Sequence, residues 1–289
     1  MDVSVIIINY NTEKLVLDCL DSIYAKTYGI DFEIIVVDND SSKEPLMLKE
    51  DKRIKYIRSE INLGFGNANN LGAKYARGVF LFCLNPDTLL VNNAIKILYN
   101  FISIRNDVGA CGPNLYKDDL TPNISFSVLP TGIYQEFIDS RSITKKHNMT
   151  FNNTDECMDV NFSSGAALMI RRSLFDEIGG FGKDFFMYYE DNDICRKIKG
   201  GGYRIVNIPQ SRVIHLDGKS FTFKKERELL SLKGRRIYYE NNYGIVYYWL
   251  SCVCFILNNS INLIYFLIIR KSDIAKLLWF RMKNVFVTK

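Results

Sequence analysis

Carboxylate and amide side chains follow three apolar segments in the N-terminal third of the chain. Such groups can bind ribose hydroxyls or a divalent cation such as Mg²⁺ or Mn²⁺. In open α/β sheets, ligands bind outside the carboxyl ends of the strands, so the spacing predicts that these groups converge where a nucleotide would bind. The alternative for each is an ordinary turn. The segments Val3–Ile8, Phe32–Val37 and Val79–Leu84 are followed by Asn9-Tyr10-Asn11, Asp38-Asn39-Asp40 and Asn85-Pro86-Asp87.

A second acidic group begins a short helix that we predict over residues 189–199. Glu190 and Asp191 lie in its first turn, where the helix dipole favours an ionised carboxylate. A carboxylate within hydrogen-bond reach of a hydroxyl can act as a general base. The apolar run Phe185–Tyr189 immediately before it is typical of a pocket wall. The alternative is the ordinary preference of helix N-termini for acidic residues.

Two common nucleotide-binding motifs are absent from the sequence. A dinucleotide fold needs Gly-x-Gly-x-x-Gly after its first strand, and residues 9–13 do not match it. Gly64-Phe65-Gly66 lacks the third glycine because residue 69 is asparagine. A Walker A sequence is also missing. These observations argue against an NAD enzyme and a P-loop NTPase.

The elements that would position these groups alternate between strand and helix over the first 110 residues. Continuous apolar, β-branched runs are typical of strands buried on both faces of a parallel sheet. The alternation therefore predicts an α/β fold with a mainly parallel central sheet. A helix is predicted over residues 66–76, and further strands are predicted at Ile54–Ile57, Gly165–Ile170, Tyr203–Val206 and Arg212–His215.

Five motifs occur in a characteristic order: Val3–Asn11, Val36–Ser41, Asn62–Gly66, Leu84–Asp87 and Tyr188–Asp193. In this order and spacing the chain resembles glycosyltransferase family 2, which has the GT-A nucleotide-sugar-binding fold, and most of all its bacterial rhamnosyltransferase branch. The resemblance covers residues 1–220, which the sequence predicts to be the catalytic domain. One motif alone would be weak evidence, whereas five in order are specific.

The resemblance implies roles for individual residues. In the family an Asp-x-Asp motif holds Mg²⁺ or Mn²⁺ against the donor diphosphate, which assigns the metal to Asp87 and His215, with Asn85 in place of the first Asp. It assigns the catalytic base to Asp191, beside Glu190. The other donor-binding residues that it implies, with Asp38 at the nucleobase, are Asn9, Tyr10, Asp38, Asn62, Gly64, Asn69, Asn85, Gly165 and Ala166.

The function that the resemblance implies is an inverting, metal-dependent transfer of a sugar to a hydroxyl of a lipid-linked glycan in bacterial surface polysaccharide synthesis. L-Rhamnose from dTDP-L-rhamnose is the first donor expected. The alternatives are a UDP- or GDP-sugar, or a non-catalytic module that binds nucleotide sugars. The mildly acidic body, with 24 basic and 27 acidic residues over 1–216, argues against a nucleic-acid partner.

A C-terminal extension over residues 221–289 differs from the body in composition. Residues 241–269 carry no charge, whereas residues 270–289 hold six basic residues and one acidic residue. As one helix the uncharged run would measure about 43 Å, longer than the roughly 30 Å hydrocarbon core, so it must tilt, break or lie flat. The pattern predicts docking of residues 241–289 on a membrane surface, as expected for a cytoplasmic enzyme held at the inner face of the bacterial membrane. A membrane span, a soluble helical cap and a homodimer surface are the alternatives.

Overall fold

The β-branched runs form the strands of one central sheet in the computed structural model, which describes residues 1–136, 150–216 and 224–286. Strand β1 (Val3–Asn9) is buried along its whole length. It pairs in parallel with β2 (Phe32–Asn39) on one side and β4 (Phe80–Leu84) on the other, and β3 (Lys55–Ser59) pairs in parallel with β2. The predicted parallel arrangement is confirmed for these four strands.

The second half of the sheet is mixed. Its strands are β5 (Thr88–Leu90), β6 (Val108–Tyr116), β8 (Met158–Val160), β10 (Ala167–Arg171) and β11 (Arg204–His215), while β7 (Phe126–Ser127) and β9 (Phe162–Ser163) form a separate pair. The order is β3-β2-β1-β4-β10-β6-β11-β5, with β8 beside β11. Strand β10 runs antiparallel to both β4 and β6.

The two strands predicted at residues 203–206 and 212–215 are one strand. Strand β11 pairs with β6 on both sides of a register shift between Ile208 and Arg212. An irregularity of this kind bends a strand without ending it. The residues at this shift interrupt the apolar run of the sequence, so the sequence suggested two strands.

Helices cover both faces of the sheet. Alternate residues of β1 belong to opposite cores, with Val5 and Ile7 in one and Ile6 and Ile8 in the other, as the period of a strand requires. The helices of the body are α1 (Glu13–Lys26), α2 (Leu46–Glu50), α3 (Phe65–Lys74), α4 (Ala94–Ser103), α5 (Arg172–Glu177) and α6 (Glu190–Gly200).

Over residues 224–286 the described part of the C-terminal extension is helical, with α7 (Lys224–Tyr243), α8 (Ile245–Ile268) and α9 (Ser272–Lys283). The uncharged run breaks at Gly244, whose φ of +87° separates α7 from α8. A third hydrophobic cluster joins this extension to the body, since Phe185 packs with Tyr238 and Tyr239 of α7. The domain boundary predicted after residue 220 lies outside the described residues.

Candidate active site

The ends of β1 and β2 carry a buried polar cluster. The sheet register pairs Asn9 with Asp38, and Asn9 Nδ2 donates to Asp38 Oδ1 at 2.7 Å. The Ser41 hydroxyl donates to the same oxygen at 2.5 Å, and Arg58 Nη1 lies 3.2 Å from Asp38 Oδ2. Asn9 and Asp38 are both fully buried, so two neutral donors and one cation hold this carboxylate in place. Tyr10, the next residue of the motif, is exposed at the sheet edge.

The loop after β3 connects this cluster to the segment that contains Glu190 and Asp191. Asn39 Nδ2 donates to Asn62 Oδ1 at 2.9 Å, and the Gly64 N–H donates to the same oxygen at 3.0 Å. Gly64 has a φ of +77°, and the following Phe65 N–H donates to the Phe186 carbonyl at 3.0 Å. The loop therefore reaches the chain just before Glu190.

Asn69 does not reach the surface of this edge. Its side chain is fully buried, and Nδ2 donates to the Phe65 carbonyl within α3 at 3.0 Å. The neighbouring Asn70 exchanges two hydrogen bonds with the backbone of Phe181, each 2.9 Å long. In this conformation both amides brace α3 against the rest of the fold.

Asp87, His215 and Asn85 meet at the end of β4. Pairing of β5 with β11 aligns His215 with Thr88. This brings His215 Nε2 to 3.4 Å from Asp87 Oδ1 and 3.4 Å from Asn85 Nδ2. Asp87 is 2% exposed. An open depression of about 450 Å³ lies beside them, lined by Lys117, Asp118, Asp119, Asn123, His215 and Leu216.

These donors fit a divalent cation. A carboxylate and an amide oxygen suit both Mg²⁺ and Mn²⁺, and an imidazole is a ligand for transition-metal ions such as Mn²⁺. The Asn85 Oδ1 atom is buried and has no hydrogen-bond partner in the described part of the chain, as expected of an oxygen that binds a ligand or a metal ion. Over residues 1–136, 150–216 and 224–286, no group of three or more His, Cys, Asp or Glu side chains is placed to hold a metal ion.

Glu190 and Asp191, which we call the acid pair, follow an unusual turn. Tyr188 and Tyr189 have φ values of 70° and 69°, a left-handed conformation that costs of order 1 kcal/mol per non-glycine residue and persists where surrounding structure enforces it. Helix α7 supplies that support, because a Cβ on Gly234 would lie 2.3 Å from the Tyr188 carbonyl. The turn directs Glu190 and Asp191 into the first turn of α6.

The two carboxyl groups of the pair have different surroundings. Asp191 is partly exposed; its Oδ2 accepts from the Gly165 N–H at 3.2 Å, and its Oδ1 accepts from Asn192 N at 2.9 Å and Nδ2 at 3.1 Å. Burial raises the pKa of Asp191, while these hydrogen bonds oppose the rise. Glu190 is 6% exposed, and burial together with the Asp191 charge raises its pKa to about 8. Burial and the neighbouring charge therefore disfavour ionisation of Glu190, while the hydrogen bonds to Asp191 favour its charged form.

The acid pair and the candidate metal ligands are linked by a continuous series of contacts. The Gly165 N–H binds Asp191, and the adjacent Ala166 carbonyl accepts from the Asn85 N–H at 2.9 Å. Asn85 in turn touches His215. The structure therefore brings together Asp191, Gly165, Ala166, Asn85, His215 and Asp87.

Three residues of the site were not predicted from the sequence. Ser41 was noted only as part of a turn-forming motif, although its hydroxyl bonds both Asn9 and Asp38. Arg58 lies on β3, where nothing local marks it as a partner of Asp38. Asn192, which holds Asp191, lies between two acidic residues of a recognised motif, and that position was its only signal.

The family model described as "Glycosyl transferase family 2" matches residues 4–179. The low-salt glycan biosynthesis hexosyltransferase Agl10 of Haloferax volcanii is 29% identical over 219 residues, and the alignment covers 74% of this chain and 66% of that protein. The rhamnosyltransferase WbbL of Escherichia coli is 25% identical over 242 residues, covering 78% of this chain and 88% of that protein. The mannosyltransferase PcManGT from Pyrobaculum calidifontis, solved with GDP-Man and Mn²⁺, is 17% identical with a TM-score of 0.59 over 99% of this chain and 84% of that one.

Proposed function

Because this chain belongs to glycosyl transferase family 2, we propose that it transfers a sugar from a nucleoside diphosphate to an acceptor hydroxyl with inversion at the anomeric carbon. L-Rhamnose from dTDP-L-rhamnose is the first donor proposed, since the Escherichia coli relative that aligns with 78% of the chain is a rhamnosyltransferase. A UDP- or GDP-sugar is the alternative donor. Pocket shape decides between them, so binding across dTDP-, UDP- and GDP-sugars is the direct measurement.

The observation that carries this proposal is the series of contacts from Asp191 to Asp87. Transfer with inversion needs a base on the acceptor side and charge neutralisation on the diphosphate side, close enough to act on one sugar. Gly165 and Ala166 lie between these two ends, because one bonds Asp191 and the other bonds Asn85. We assign the sugar to the space beside these two residues.

Asp87 and His215 would hold the divalent cation, with Asn85 beside them. When bound, the cation neutralises the charge that develops on the departing diphosphate. Asp87 is suited to this role because the sheet edge fixes its position: its backbone carbonyl accepts from the Leu216 N–H at 2.9 Å. This hydrogen bond holds the segment after β4 against the end of β11.

Asp191 would remove the proton from the acceptor hydroxyl as that oxygen attacks the anomeric carbon. Its Oδ2 bonds a backbone N–H, and its Oδ1 bonds Asn192, so the carboxylate has a defined orientation. Burial raises its pKa, which brings a carboxylate base nearer to the working pH. Glu190 is the less exposed partner and keeps its proton at neutral pH.

Asp191→Asn tests the assignment of the base. We expect kcat to fall by about 100-fold or more, the usual contribution of general-base catalysis, while the affinity for the nucleotide sugar stays within twofold. Turnover is measured as nucleoside diphosphate release with Mn²⁺ present. Asp184→Asn is the matched control, because Asp184 is an exposed carboxylate of the preceding loop. Turnover of Asp191→Asn equal to that of the control would refute the assignment.

We further propose a lipid-linked glycan as acceptor and a position at the inner face of the bacterial cytoplasmic membrane. The support is the outer face of α8, a helix with the length and apolar composition of a membrane-spanning segment. Polar Ser251 and Asn259 of this helix are buried against the protein. Its outward apolar residues recur every three or four positions: Val246, Leu250, Val253, Leu257, Ile261, Ile264 and Ile268.

In a helix that faces water, the apolar stripe packs inward and the polar residues face outward. Helix α8 shows the reverse arrangement. The neighbouring α9 adds exposed Trp279 and the exposed cations Lys276 and Lys283. An apolar face bordered by basic residues and tryptophan is typical of a helix pair that lies in the headgroup region. A second copy of the chain against the same face is the alternative.

A further inference from the structure

Residues 131–136 run between the first turn of α6 and the C-terminal helices, and we call them the strap. The Tyr243 hydroxyl donates to the Thr131 carbonyl at 3.0 Å. The Ile133 N–H donates to the Tyr247 hydroxyl oxygen at 3.0 Å. The rings of Tyr243 and Tyr247 stack with centroids 4.4 Å apart, so the two hydroxyls that hold the strap form one rigid unit.

The other end of the strap is held by a buried ion pair. Arg235 of α7 donates to the Glu136 carboxylate through Nε at 2.7 Å and Nη2 at 3.0 Å. The Tyr239 hydroxyl donates to the same carboxylate at 2.7 Å. Arg235 is 3% exposed, and a two-point guanidinium–carboxylate contact of this kind fixes direction as well as distance. The strap is therefore anchored to the extension at both ends.

On its inner side the strap touches the acid pair. The Thr131 hydroxyl donates to Asn192 Oδ1. The other end of that amide, Nδ2, donates to Asp191 Oδ1 at 3.1 Å. An amide that accepts on its oxygen presents its NH₂ group to its other partner. Thr131 thus determines which end of Asn192 faces the Asp191 carboxylate.

We propose that the strap is a positioning device for the reaction: Thr131 and Asn192 orient the Asp191 carboxylate, and α7 and α8 hold Thr131 where it can do so. This inference rests on the proposed role of Asp191. Thr131 and Asn192 are positioning residues, since they act through Asp191. The C-terminal extension therefore helps to position the catalytic base, in addition to exposing the apolar face of α8.

Thr131→Val tests the proposal because it keeps the shape of the side chain and removes the hydroxyl. We expect kcat to fall about tenfold, the usual effect of losing one hydrogen bond in a chain that ends on a charged group. The KM for the nucleotide sugar stays within twofold. Thr131→Ser restores kcat because it restores the donor. The control is Tyr134→Phe, which alters an exposed residue of the same strap and leaves kcat unchanged.

Amide hydrogen exchange supplies a readout that does not depend on turnover. In Tyr243→Phe and Thr131→Val, exchange over residues 190–194 becomes faster, whereas Tyr134→Phe matches the wild type. Unchanged exchange, or a kcat of Thr131→Val equal to that of the wild type, overturns the proposal. If the wild-type protein turns over no nucleotide sugar, the proposed function fails, and the exchange result alone then decides whether the strap restrains the first turn of α6.

Discussion

At the scale of single residues, Glu190 and Asp191 show how two adjacent carboxyl groups can differ in charge. Both lie in the first turn of α6, yet Glu190 is buried and Asp191 is partly exposed and well supplied with donors. Two neighbouring carboxylates repel each other, so ionisation of one disfavours ionisation of the other. The hydrogen bonds to Asp191 favour its charged form, which is the form that the proposed base requires.

Glu190→Gln is expected to change how the stability of the protein depends on pH. The folded pKa of about 8 lies above the ordinary value of 4.5, so the folded state binds more protons than the unfolded state between these values. The wild-type protein therefore loses stability as pH rises through this window. The glutamine variant lacks this loss, so the stability difference between the two proteins should grow in favour of the variant as the pH rises toward 8.5.

The measurement is the melting temperature of both proteins from pH 5 to pH 8.5. We expect the two curves to diverge as pH rises, with the variant higher at the alkaline end. Parallel curves would show that the Glu190 carboxyl is ionised in the folded protein at neutral pH. Since glutamine keeps the size of the side chain, packing changes contribute little to the comparison.

At the scale of elements, the site depends on loops that approach one another very closely. The loop before α3 and the loop before α6 meet where Phe65 bonds the Phe186 carbonyl. A Cβ on Gly64 would lie 2.0 Å from that carbonyl oxygen. The glycine of the Asn-Leu-Gly motif is required by this contact as well as by its positive φ.

Gly64→Ala is therefore expected to destabilise the protein by about 3 kcal/mol or more, because the clash is with backbone and adds to the cost of the left-handed conformation. Gly179→Ala is the matched control. Gly179 has a similar φ of +75°, but an added Cβ would meet nothing within 4 Å. The control should lose only about 1 kcal/mol. Urea unfolding measures both, and equal losses would show that the close approach to Phe186 is not required.

At the scale of the whole molecule, the C-terminal extension has one face that packs on the body and an opposite face that is exposed. One face packs on the body through Phe185 and the tyrosines of α7. The opposite face of α8 displays its apolar stripe, including Leu250 at 57% and Leu257 at 61% exposure. A contiguous apolar face of this kind marks an interaction surface.

We expect the protein to sediment with vesicles of phosphatidylglycerol and phosphatidylcholine, and less with phosphatidylcholine alone, because residues 270–289 carry a net charge of +5. Each basic residue near an anionic surface contributes about 1 kcal/mol. Leu250→Glu with Leu257→Glu should lower vesicle binding at least tenfold, since each buried leucine contributes about 1.5–3 kcal/mol.

Ile104→Glu is the control for this experiment, because Ile104 is an exposed apolar residue on the body. It should leave vesicle binding unchanged. If the double variant binds vesicles like the wild type but converts a dimer into a monomer, the α8 face is a subunit interface. That outcome would contradict the proposed membrane docking.

The amino-acid sequence was enough to predict the α/β alternation and the polar groups at the strand ends. Strands buried on both faces are mostly apolar, so the runs predicted at Val3–Ile8 and Val79–Leu84 match the observed strands Val3–Asn9 and Phe80–Leu84 to within one residue. The order of motifs identified the family, which the match over residues 4–179 confirms. The sequence shows the uncharged run of residues 241–269, but it does not show that Ser251 and Asn259 face the protein while the apolar residues of α8 face outward.

Which of these groups lie together became clear from the three-dimensional packing. Asp191 and Gly165 are 26 residues apart, and Tyr243 and Thr131 are 112 residues apart. Local patterns record how buried one segment is, whereas contacts over such separations depend on how layers and loops pack. For this reason the contacts of Arg58, Ser41 and the strap could not be predicted from the sequence, although they hold the residues that the sequence identified.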